Sequence, residues 1–374
     1  MKRLCPTLLS LLLCTLLGSL LLSACGGVAD LAQTQPPAAS DSDTGVTVVD
    51  ALGNTVQLSQ APQRIVVAGR GIFMVVDALY TFPQTKERLI ALASGGQITN
   101  GFLDLLDPTL GEKSTLQSDA GPEQIAAANP DLVVLKSYMA EALGKPLAEL
   151  DIPVVYVDFE TPEGYQRDLS TLGQLFQDPA RAQQVKDFYQ SRVDRISAAL
   201  DGLAEEKKPR VLLLYYNSRD GEVAFNVPPT SWMQTMLVEM AGGRPVWTQA
   251  QLGNSWNKIS FDQIAAWDAD QIYVTAYFDD TEQVVAQLQA DAQWQELRAV
   301  QAGHLYAFPG DFYSWDQPDT RWVLGLTWLA AQLHPARLPD LDIMAETRAF
   351  YEQLYGLDQG AYQQIIERLT GDLP

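Results

Sequence analysis

The fold of this chain is constrained most by a segment that occurs twice. Residues 121–135 carry Gln-Ile-Ala-Ala, then an Asp and an apolar run, and residues 261–274 carry the same order. Gln124 and Asp131 each have their match 139 residues later, so the two copies align without a gap. A chance similarity between two alanine-rich amphipathic helices is the alternative. Because solenoid repeats have periods of roughly 20–50 residues, this longer spacing predicts two duplicated domains and not stacked units.

The charge balance excludes one class of partner. The 374 residues include 25 Lys and Arg against 46 Asp and Glu, a formal net charge of −21. Nucleic-acid binding needs a basic face that displaces counterions, so the balance argues against it. An acid excess also keeps a protein soluble, which is the simpler meaning of this composition. The length and the 47% hydrophobic content predict two or three globular domains.

The amino terminus has the features of an export signal. Met1-Lys2-Arg3 is followed by an apolar run that reaches Leu22 and by the small residues Ser23 and Ala24. Residues 22–25, Leu-Ser-Ala-Cys, resemble a bacterial lipobox. The resemblance implies that residues 1–24 are removed and that Cys25 carries a diacylglyceryl or palmitate anchor at the extracytoplasmic face of the cell membrane. An uncleaved transmembrane helix is the alternative, because an apolar run of this length can span a bilayer.

The cysteine count removes three kinds of chemistry from the folded body. Cys5 and Cys14 would leave with the signal, and Cys25 would be lipidated. No cysteine then remains for a disulfide, a thiolate nucleophile or a zinc site. Residues 25–45 are rich in Ala, Gln, Pro, Ser and Asp, and this composition predicts a flexible tether between the anchor and the body.

Continuous apolar runs predict α/β lobes. Such runs, separated by helical patterns, are typical of parallel strands that are covered on both faces. They occur at residues 65–68, 132–135, 154–157, 211–215, 272–275 and 305–308. A hairpin is predicted before them, where residues 46–50 and 54–58 flank a Gly-Asn turn. We therefore expect two Rossmann-like lobes with mainly parallel sheets.

One long helix is predicted between the lobes. Pro179 follows the capping residue Asp178, and apolar positions keep helical spacing up to Leu200. A helix over 179–200 would be roughly 30 Å long, enough to cross from one lobe to the other. The predicted organisation is an amino-terminal lobe at 46–165, a linking helix at 166–203, and a carboxyl-terminal lobe with terminal helices at 204–374.

Together these segments resemble a known family, the substrate-binding lipoproteins of bacterial ABC importers that serve ferric siderophores, haem and cobalamin. The matching segments are residues 50–54, 62–67, 122–125, 129–133, 259–264, 294–297 and 300–306. The resemblance covers nearly the whole mature chain. It implies a class III fold, with the ligand in a cleft between two lobes joined by a long helix. It also implies a monomer that delivers the ligand to a permease and its ATPase. The second copy departs from the pattern at Ala269, where the family usually has Pro.

The loops that leave the strand ends hold the candidate ligand contacts, because ligands of open α/β sheets bind beyond the carboxyl ends of the strands. The candidates are Arg70, Gly71, Tyr138, Tyr216, Asn217, Tyr277, Tyr313, Trp315 and Arg321. Arg70 stands between two glycines, where a guanidinium can approach a carboxylate or phosphate, or form a surface ion pair. The aromatic candidates have half-buried packing as their alternative. Arg321 has an ion pair with Asp316 or Asp319 as its alternative.

The histidine count bears on the ligand. After the signal the chain has only His304 and His334, too few for the His-rich sites that hold bare zinc or manganese. We therefore expect no protein-held metal and no resident cofactor. A metal already wrapped in a chelator fits aromatic walls and a few cations better, and a ferric siderophore is the expected ligand. Cobalamin, haem and molybdate remain alternatives, since a Tyr can ligate haem iron.

Two acidic residues are candidates for contact with the membrane partner. The family resemblance implies one acid in each lobe that pairs with arginines of the permease, and Glu123 and Asp262 stand at the matching positions. Their alternative role is to stabilise the helix dipole from the first turn.

Catalysis is not expected from this sequence. A hydrolase on an α/β scaffold would need a nucleophile elbow, Gly-x-Ser-x-Gly, or a cysteine nucleophile, and a histidine in a catalytic setting. The chain has no such motif. An extracellular hydrolase and a surface adhesion lipoprotein remain the alternatives from other classes.

Overall fold

The computed structural model contains two large β-sheets, each with its own helices, and a separate two-stranded hairpin. The structure describes residues 45–95, 97, 101–219, 221–250 and 252–373. The predicted signal at 1–24, the predicted lipidation site Cys25 and all but the last residue of the predicted tether lie outside the described residues.

The first lobe begins with the predicted hairpin. Strands β1 (Val46–Val49) and β2 (Thr55–Leu58) pair in antiparallel register. The carboxylate of Asp50 fixes the turn, because its Oδ1 accepts hydrogen bonds from the backbone N–H groups of Leu52 (2.9 Å) and Asn54 (2.8 Å). The hairpin prediction is therefore confirmed.

A five-stranded parallel sheet forms the centre of the first lobe. Its strands are β3 (Ile65–Val67), β4 (Leu89–Ala93), β5 (Ser114–Leu116), β6 (Leu132–Lys136) and β7 (Val154–Val157), in the order β5-β4-β3-β6-β7. The helices of this lobe are α1 (Ile72–Tyr80), α2 (Thr85–Arg88), α3 (Phe102–Leu106), α4 (Pro122–Ala127) and α5 (Lys145–Glu149). Val66 and Val133 pack on one face of the sheet and Val67 and Val134 on the other, all fully buried. Burial on both faces explains why these strands lack polar alternation.

Two helices, α6 (Pro162–Leu175) and α7 (Pro179–Ala199), follow the first sheet along the chain and precede the second. The side chain of Asp178 caps α7 by accepting a hydrogen bond from the N–H of Arg181 (3.0 Å). Gly173 lets the two helices pack closely, since a β-carbon there would stand 2.5 Å from that of Ala182. The long helix predicted at 179–200 is therefore present, and it pairs with a second helix instead of crossing alone.

A mixed sheet forms the second lobe. Its strands are β8 (Arg210–Asn217), β9 (Ala224–Val227), β10 (Arg244–Pro245), β11 (Asn257–Ile259), β12 (Gln271–Thr275) and β13 (Leu305–Ala307). The order is β11-β9-β8-β12-β13, with β10 beside β8. Strands β8, β10, β12 and β13 are parallel, whereas β9 is antiparallel to both of its neighbours. Its helices are α8 (Met233–Met240), α9 (Phe261–Trp267), α10 (Thr281–Ala290), α11 (Arg298–Gln301), α12 (Trp322–Leu333), α13 (Ile343–Tyr355) and α14 (Gln359–Ile366).

The repeated segment is the same helix–turn–strand unit in both lobes. In the first lobe Asp131 accepts hydrogen bonds from the backbone N–H of Gln63 (2.7 Å) and Arg64 (2.8 Å), at the start of β3. In the second lobe Asp270 accepts one from the N–H of Arg210 (2.7 Å), at the start of β8. Each aspartate thus ties its own strand to the neighbouring central strand.

An arginine completes each unit. The Arg64 guanidinium donates to the carbonyl oxygens of Ala128 (2.8 Å) and Asn129 (2.7 Å), which end α4. Arg210 donates to the carbonyl oxygens of Trp267 (2.7 Å) and Asp268 (3.3 Å), which end α9. Trp267 stands 139 positions after Ala128, and Asp268 stands 139 positions after Asn129, the same spacing as in the repeated segments. The repeat therefore extends to contacts that the aligned segments alone did not predict.

Candidate ligand-binding cleft

A cavity of about 210 Å³ opens at the carboxyl ends of the first sheet. Residues 69–73 after β3, Ser94, Gly95 and Gln97 after β4 and Ser118 after β5 form most of its wall, and Phe278 after β12 closes it from the second lobe. A larger depression of about 560 Å³ lies at the opposite end of the second lobe, beside the start of β8 and β10. Ligands of open α/β sheets bind at carboxyl strand ends, so the smaller cavity is the candidate site.

Two glycines bring the chain from β3 into this cavity. Gly69 (φ 89°) and Gly71 (φ 66°) adopt left-handed conformations, and a side chain at Gly69 would also press against Met139. The chain turns here so that Arg70 stands at the cavity wall with an exposed side chain. Within the described residues its guanidinium makes no ion pair. Arg70 and Gly71 thus lie where the sequence-based hypothesis needs them.

Tyr138 lies on the rim of the same turn. It follows β6, its ring is 58% exposed, and its hydroxyl donates a hydrogen bond to the carbonyl oxygen of Arg70 (2.7 Å). Partial burial of the phenol, and then the nearby carboxylate of Glu160, raise the pKa of Tyr138 to about 12. Tyr138 therefore stays a neutral hydrogen-bonding group at physiological pH.

A buried lysine under this rim escaped the sequence analysis. Lys136 ends β6 and is 2% exposed. Its ammonium group donates to the carbonyl oxygen of Asp158 and forms an ion pair with Glu160. A charged residue at the end of an otherwise apolar strand was the signal that could have revealed it. The ion pair with Glu160 neutralises Lys136. Among the described residues of the first lobe at this cavity, Arg70 is therefore the cation without an ion-pair partner.

The second lobe presents an aromatic surface at the ends of β8 and β12. Tyr277 stacks on Tyr215 with ring centroids 4.5 Å apart, and its hydroxyl donates to Asp316 (2.6 Å). Burial raises the pKa of Asp316 to about 6, although hydrogen bonds from Ser314 and Tyr277 oppose the shift. Burial and the adjacent carboxylate raise the pKa of Tyr277 well above its ordinary value.

The predicted contacts Tyr216 and Asn217 lie at the end of β8, and both are half-buried. The Tyr216 ring packs edge-on against Phe225, with centroids 5.9 Å apart. Asn217 Oδ1 accepts a hydrogen bond from the backbone N–H of Arg219 (3.1 Å). Neither residue lines the 210 Å³ cavity. Both shape the turn that carries Arg219, and their contact with a ligand stays a prediction.

Arg219 and Phe278 form a pair that the sequence analysis missed. The guanidinium carbon of Arg219 stands 4.1 Å from the Phe278 ring centroid, and Phe278 is 48% exposed. Ser218 donates to the carboxylate of Asp279 (2.9 and 3.0 Å) beside this pair. Both residues stand one or two positions beyond predicted contacts, and only the tertiary structure brings them together.

Three predicted contacts are buried and need correction. Tyr313 is 2% exposed, and Trp315 and Arg321 are fully buried. Tyr313 stacks on Phe73 of the first lobe, with ring centroids 5.0 Å apart. The indole N–H of Trp315 donates to Asp311 (3.0 Å). The loop after β13 folds into the interior between the lobes, so these side chains offer no surface to a ligand.

Arg321 instead organises a buried ionic cluster. Its guanidinium pairs with Asp311 (2.6 Å), Asp77 (2.7 Å) and Asp319 (3.5 Å). The alternative of an ion pair with Asp319 is therefore correct, and the pairing with Asp316 is wrong, because Asp316 bonds Tyr277 and Ser314. Burial raises the pKa of Asp77 to about 7 despite the attraction of Arg321.

The buried cluster joins the two lobes. Asp77 belongs to α1 in the first lobe, whereas Arg321 precedes α12 in the second. The ring centroid of Phe102, also of the first lobe, lies 4.1 Å from the guanidinium carbon of Arg321. Nearer the cavity, the amides of Gln97 and Gln317 exchange two hydrogen bonds (2.7 and 3.1 Å) across the lobes. The interface is thus held by a buried charge, by aromatic rings and by paired amides.

The candidate docking acids lie at the cleft end of each lobe. Glu123 is in the first turn of α4, which starts beyond the carboxyl end of β5, and Asp262 is in the first turn of α9. Both are exposed, and neither forms an ion pair with another described residue. Their role in docking stays a prediction.

The described residues contain no group of three or more His, Cys, Asp or Glu side chains arranged to hold a metal ion. A ring nitrogen of each of the two histidines lies within hydrogen-bond distance of a backbone carbonyl oxygen. His304 Nδ1 lies 3.2 Å from the carbonyl oxygen of Asp270, and His334 Nε2 lies 3.1 Å from that of Gly242.

Two α/β lobes with a cavity at their strand ends define a ligand-binding fold, and known proteins share it. Residues 103–312, more than half of the chain, match the family model for periplasmic binding proteins. The chain is 22% identical to the molybdate-binding protein MolA of Haemophilus influenzae over 254 residues, 62% of this chain and 69% of the relative.

Solved structures of other proteins show the same fold. An ABC transporter solute-binding protein from Sulfurospirillum deleyianum superposes with a TM-score of 0.69 at 21% identity, over 86% of this chain and 99% of the other. CeuE of Helicobacter pylori, solved with Ni(II) bound, gives a TM-score of 0.66 at 16% identity, over 85% and 98%.

The chain belongs to the periplasmic binding protein family, and its fold is that of the class III solute-binding proteins of ABC transporters. It is therefore an extracytoplasmic binding protein of an ABC importer, and the relative from H. influenzae is a molybdate-binding protein. No helix within the described ranges is both long and apolar enough to cross a bilayer.

Proposed function

We propose that this protein captures an anionic metal complex, with a ferric siderophore as the expected cargo, and delivers it to the permease of an ABC importer. The observation that carries the proposal is the pair of arginines at one cavity. Arg70 lines the cavity, and Arg219 covers Phe278, which lines it from the other lobe. In a chain of net charge −21, these two exposed guanidinium groups have no carboxylate partner among the described residues.

The start of α1 adds to the attraction for an anion. Gly71 precedes the helix and Ile72 begins it, and both line the cavity. Within the described structure no side chain caps this end, and its first turn holds no acidic residue. The first N–H groups of a helix lack internal partners and carry a partial positive charge, so they favour an anion beside Arg70.

The cavity volume favours a second candidate, a compact oxyanion such as molybdate. Sites for drug-sized ligands have volumes of about 300–1,000 Å³, whereas this cavity measures about 210 Å³. A tetrahedral oxyanion fits such a space as it stands, and the relative MolA is a molybdate-binding protein. A ferric siderophore requires that the cavity widen. Haem and cobalamin require still more space, so they fit the cavity least well.

Direct ligation of iron by a tyrosinate has little support at this site. The Tyr277 hydroxyl is engaged by Asp316, and the Tyr138 hydroxyl by the Arg70 carbonyl. Both phenols have raised pKa values, which opposes formation of the phenolate that binds ferric iron. We therefore propose that the metal arrives and leaves inside its own ligand shell, with no cofactor resident in the protein.

Calorimetric titration of the purified protein with a ferric tris-catecholate complex, molybdate, haem and cobalamin tests the proposal. Arg70→Ala and Arg219→Ala should each weaken binding of the preferred anion about ten- to a hundredfold, as expected for a charged hydrogen-bonding group. Arg348→Ala, which removes an exposed arginine paired with Glu352 on α13, is the matched control and should change nothing. If neither anion binds, or if both cleft variants bind like the control, the proposal fails.

A further inference from the structure

Phe278 has a position that no other described cavity residue shares. It alone reaches the 210 Å³ cavity from the second lobe, and all other described lining residues come from the first lobe. Nearly half of this large apolar side chain is exposed (48%), although large apolar side chains usually gain by burial. Its ring is therefore a part of the cavity wall that side-chain rotation alone could displace.

The backbone around Phe278 is fixed on both sides. Tyr277, before it, is held by stacking on Tyr215 and by its hydrogen bond to Asp316. After it, Asp279 accepts hydrogen bonds from Ser218, and Asp280 caps α10 by accepting one from the N–H of Gln283 (3.0 Å). These contacts hold the backbone on both sides, so rotation of the Phe278 side chain is the smallest change by which the second lobe could alter this wall.

Arg219 sets the orientation of that side chain. Its guanidinium carbon is 4.1 Å from the ring centroid, a cation–π contact worth about 0.5–1 kcal/mol at an exposed site. A contact of this strength holds one rotamer in the majority while leaving the others populated. An anionic ligand competes for the same guanidinium, so its arrival releases the ring.

We propose that Phe278, held by Arg219, sets the upper size of ligand that the cleft accepts. With the ring in place the cavity admits a compact anion, and with the ring turned out it admits a larger one. This inference rests on the proposed function, because it takes the 210 Å³ cavity as the ligand site. It assigns ligand selection to one side chain of the second lobe.

A ligand-free measurement tests the control of access. Ser94 lines the cavity and is half-buried, and in a chain with Cys5, Cys14 and Cys25 changed to Ser, Ser94→Cys gives a single reporter thiol. The rate at which this thiol reacts with a bulky aromatic methanethiosulfonate is divided by the rate at which it reacts with a small one. Phe278→Ala should raise the ratio of bulky to small rates about tenfold, and Phe278→Trp should lower it. Arg219→Ala should raise it less, and Arg219→Lys should restore most of the original ratio.

Val223→Ala is the matched control. Val223 is a similarly exposed apolar residue (52%) in the neighbouring β8–β9 turn, and it does not line the cavity. Its substitution should leave the ratio unchanged. A Phe278→Ala ratio within about twofold of the starting protein would overturn the inference, because a tenfold change corresponds to only about 1.4 kcal/mol.

Selectivity gives the second readout. Affinities for molybdate and for a ferric tris-catecholate complex are measured on the starting protein and on Phe278→Ala. We expect the ratio of the two affinities to move about tenfold toward the bulky complex. An unchanged ratio with measurable binding contradicts the inference and leaves the proposed function standing. If neither probe binds any variant, the proposed function fails, and the thiol ratio alone decides whether Phe278 controls access.

Discussion

At the scale of single residues, the buried Arg321 has the clearest energetic role. One guanidinium faces three buried carboxylates, so the cluster is stable only because the cation is present. Removal of one partner from a buried ion pair usually costs about 3–5 kcal/mol, since the other charge remains buried and unpaired. The sequence showed acids near Arg321, but not that they share one interior site with Asp77, which is 244 positions away.

We predict that Arg321→Met strongly destabilises the protein, by about 3–5 kcal/mol. Urea unfolding followed by tryptophan fluorescence measures the change. Arg348→Met, at an exposed ion pair, is the control and should cost less than about 1 kcal/mol. Equal losses in the two variants would contradict the structural role given to Arg321.

The same cluster predicts a dependence of stability on pH. Asp77 has an ordinary pKa of 3.8, and burial raises its folded-state pKa to about 7. The folded state therefore binds a proton more tightly than the unfolded state does. The stabilisation is fully present below about pH 4 and is lost as the pH rises toward about 7.

Replacement of Asp77 isolates this contribution. Asp77→Asn keeps a neutral hydrogen-bond acceptor for Arg321 and removes the titration. Between pH 5 and pH 7.5 the unfolding free energy of the starting protein should decrease. The decrease should be smaller in Asp77→Asn, by on the order of 1 kcal/mol. Asp316 titrates in the same direction and stays in both proteins. Burial also raises the pKa of Asp319, and Asp77 raises it further, so the difference between the two proteins reports Asp77 together with its effect on Asp319. Parallel pH profiles would contradict the assignment.

At the scale of elements, the sequence predicted the strands better than the loops. Continuous apolar runs such as 132–135 are long enough to reveal parallel strands buried on both faces. The antiparallel strand β9 and the two-residue strand β10 lacked such a signal, because their pairing depends on neighbours in space. For the same reason the sequence predicts Tyr313, Trp315 and Arg321 as ligand contacts, although their loop is buried. Its aromatic and polar composition suits a cleft and a buried interface equally well, and only the packing against α1 distinguishes the two.

The candidate site was predictable in part. Arg70 and Gly71 could be found because they directly follow an apolar strand, and the rule for parallel sheets places strand ends at the cleft. Arg219 and Phe278 could not be found from the sequence, because they meet only through a contact between two loops. Lys136 is intermediate, since its position was visible and its pairing with Glu160 was not.

The repeated unit gives a matched prediction for the two lobes. Asp131→Ala and Asp270→Ala each remove the carboxylate that accepts hydrogen bonds from the backbone at a strand start, β3 and β8 respectively. Each should lower the unfolding free energy by about 1–3 kcal/mol. Asp194→Ala, on the exposed face of α7, is the control and should change stability by less than about 0.5 kcal/mol. Chemical denaturation measures all three. A neutral effect at one aspartate would show that the two units are not equivalent.

At the scale of the whole molecule, docking and ligand binding should be separable. Glu123 and Asp262 project from the cleft end of the two lobes and do not line the cavity. The double variant Glu123→Ala, Asp262→Ala should keep the ligand affinity and lower transport in a reconstituted importer about tenfold, as expected when two charges at an interface are lost. Asp187→Ala with Asp194→Ala, two exposed acids on α7, is the control. Equal loss of affinity and transport would contradict docking.

The anchor can be tested on the intact chain. If Cys25 carries the lipid, Cys25→Ser should move the protein from the membrane fraction to the soluble fraction, or leave an unprocessed precursor. Cys14→Ser, within the predicted signal, should have neither effect. Fractionation and metabolic labelling with palmitate measure the outcome. Retention of label in Cys25→Ser would contradict the prediction.

The buried link between Asp77 and Arg321 also determines how quickly cargo can be exchanged. Separating the lobes would expose an ionic cluster, stacked rings and paired amides together, whereas rotating Phe278 exposes one ring. Side-chain rotation takes picoseconds to nanoseconds, while hinge motions take microseconds to milliseconds. We therefore expect stopped-flow association rates to rise linearly with ligand concentration and to reach no plateau; a plateau would instead reveal a slow opening of the lobes before capture.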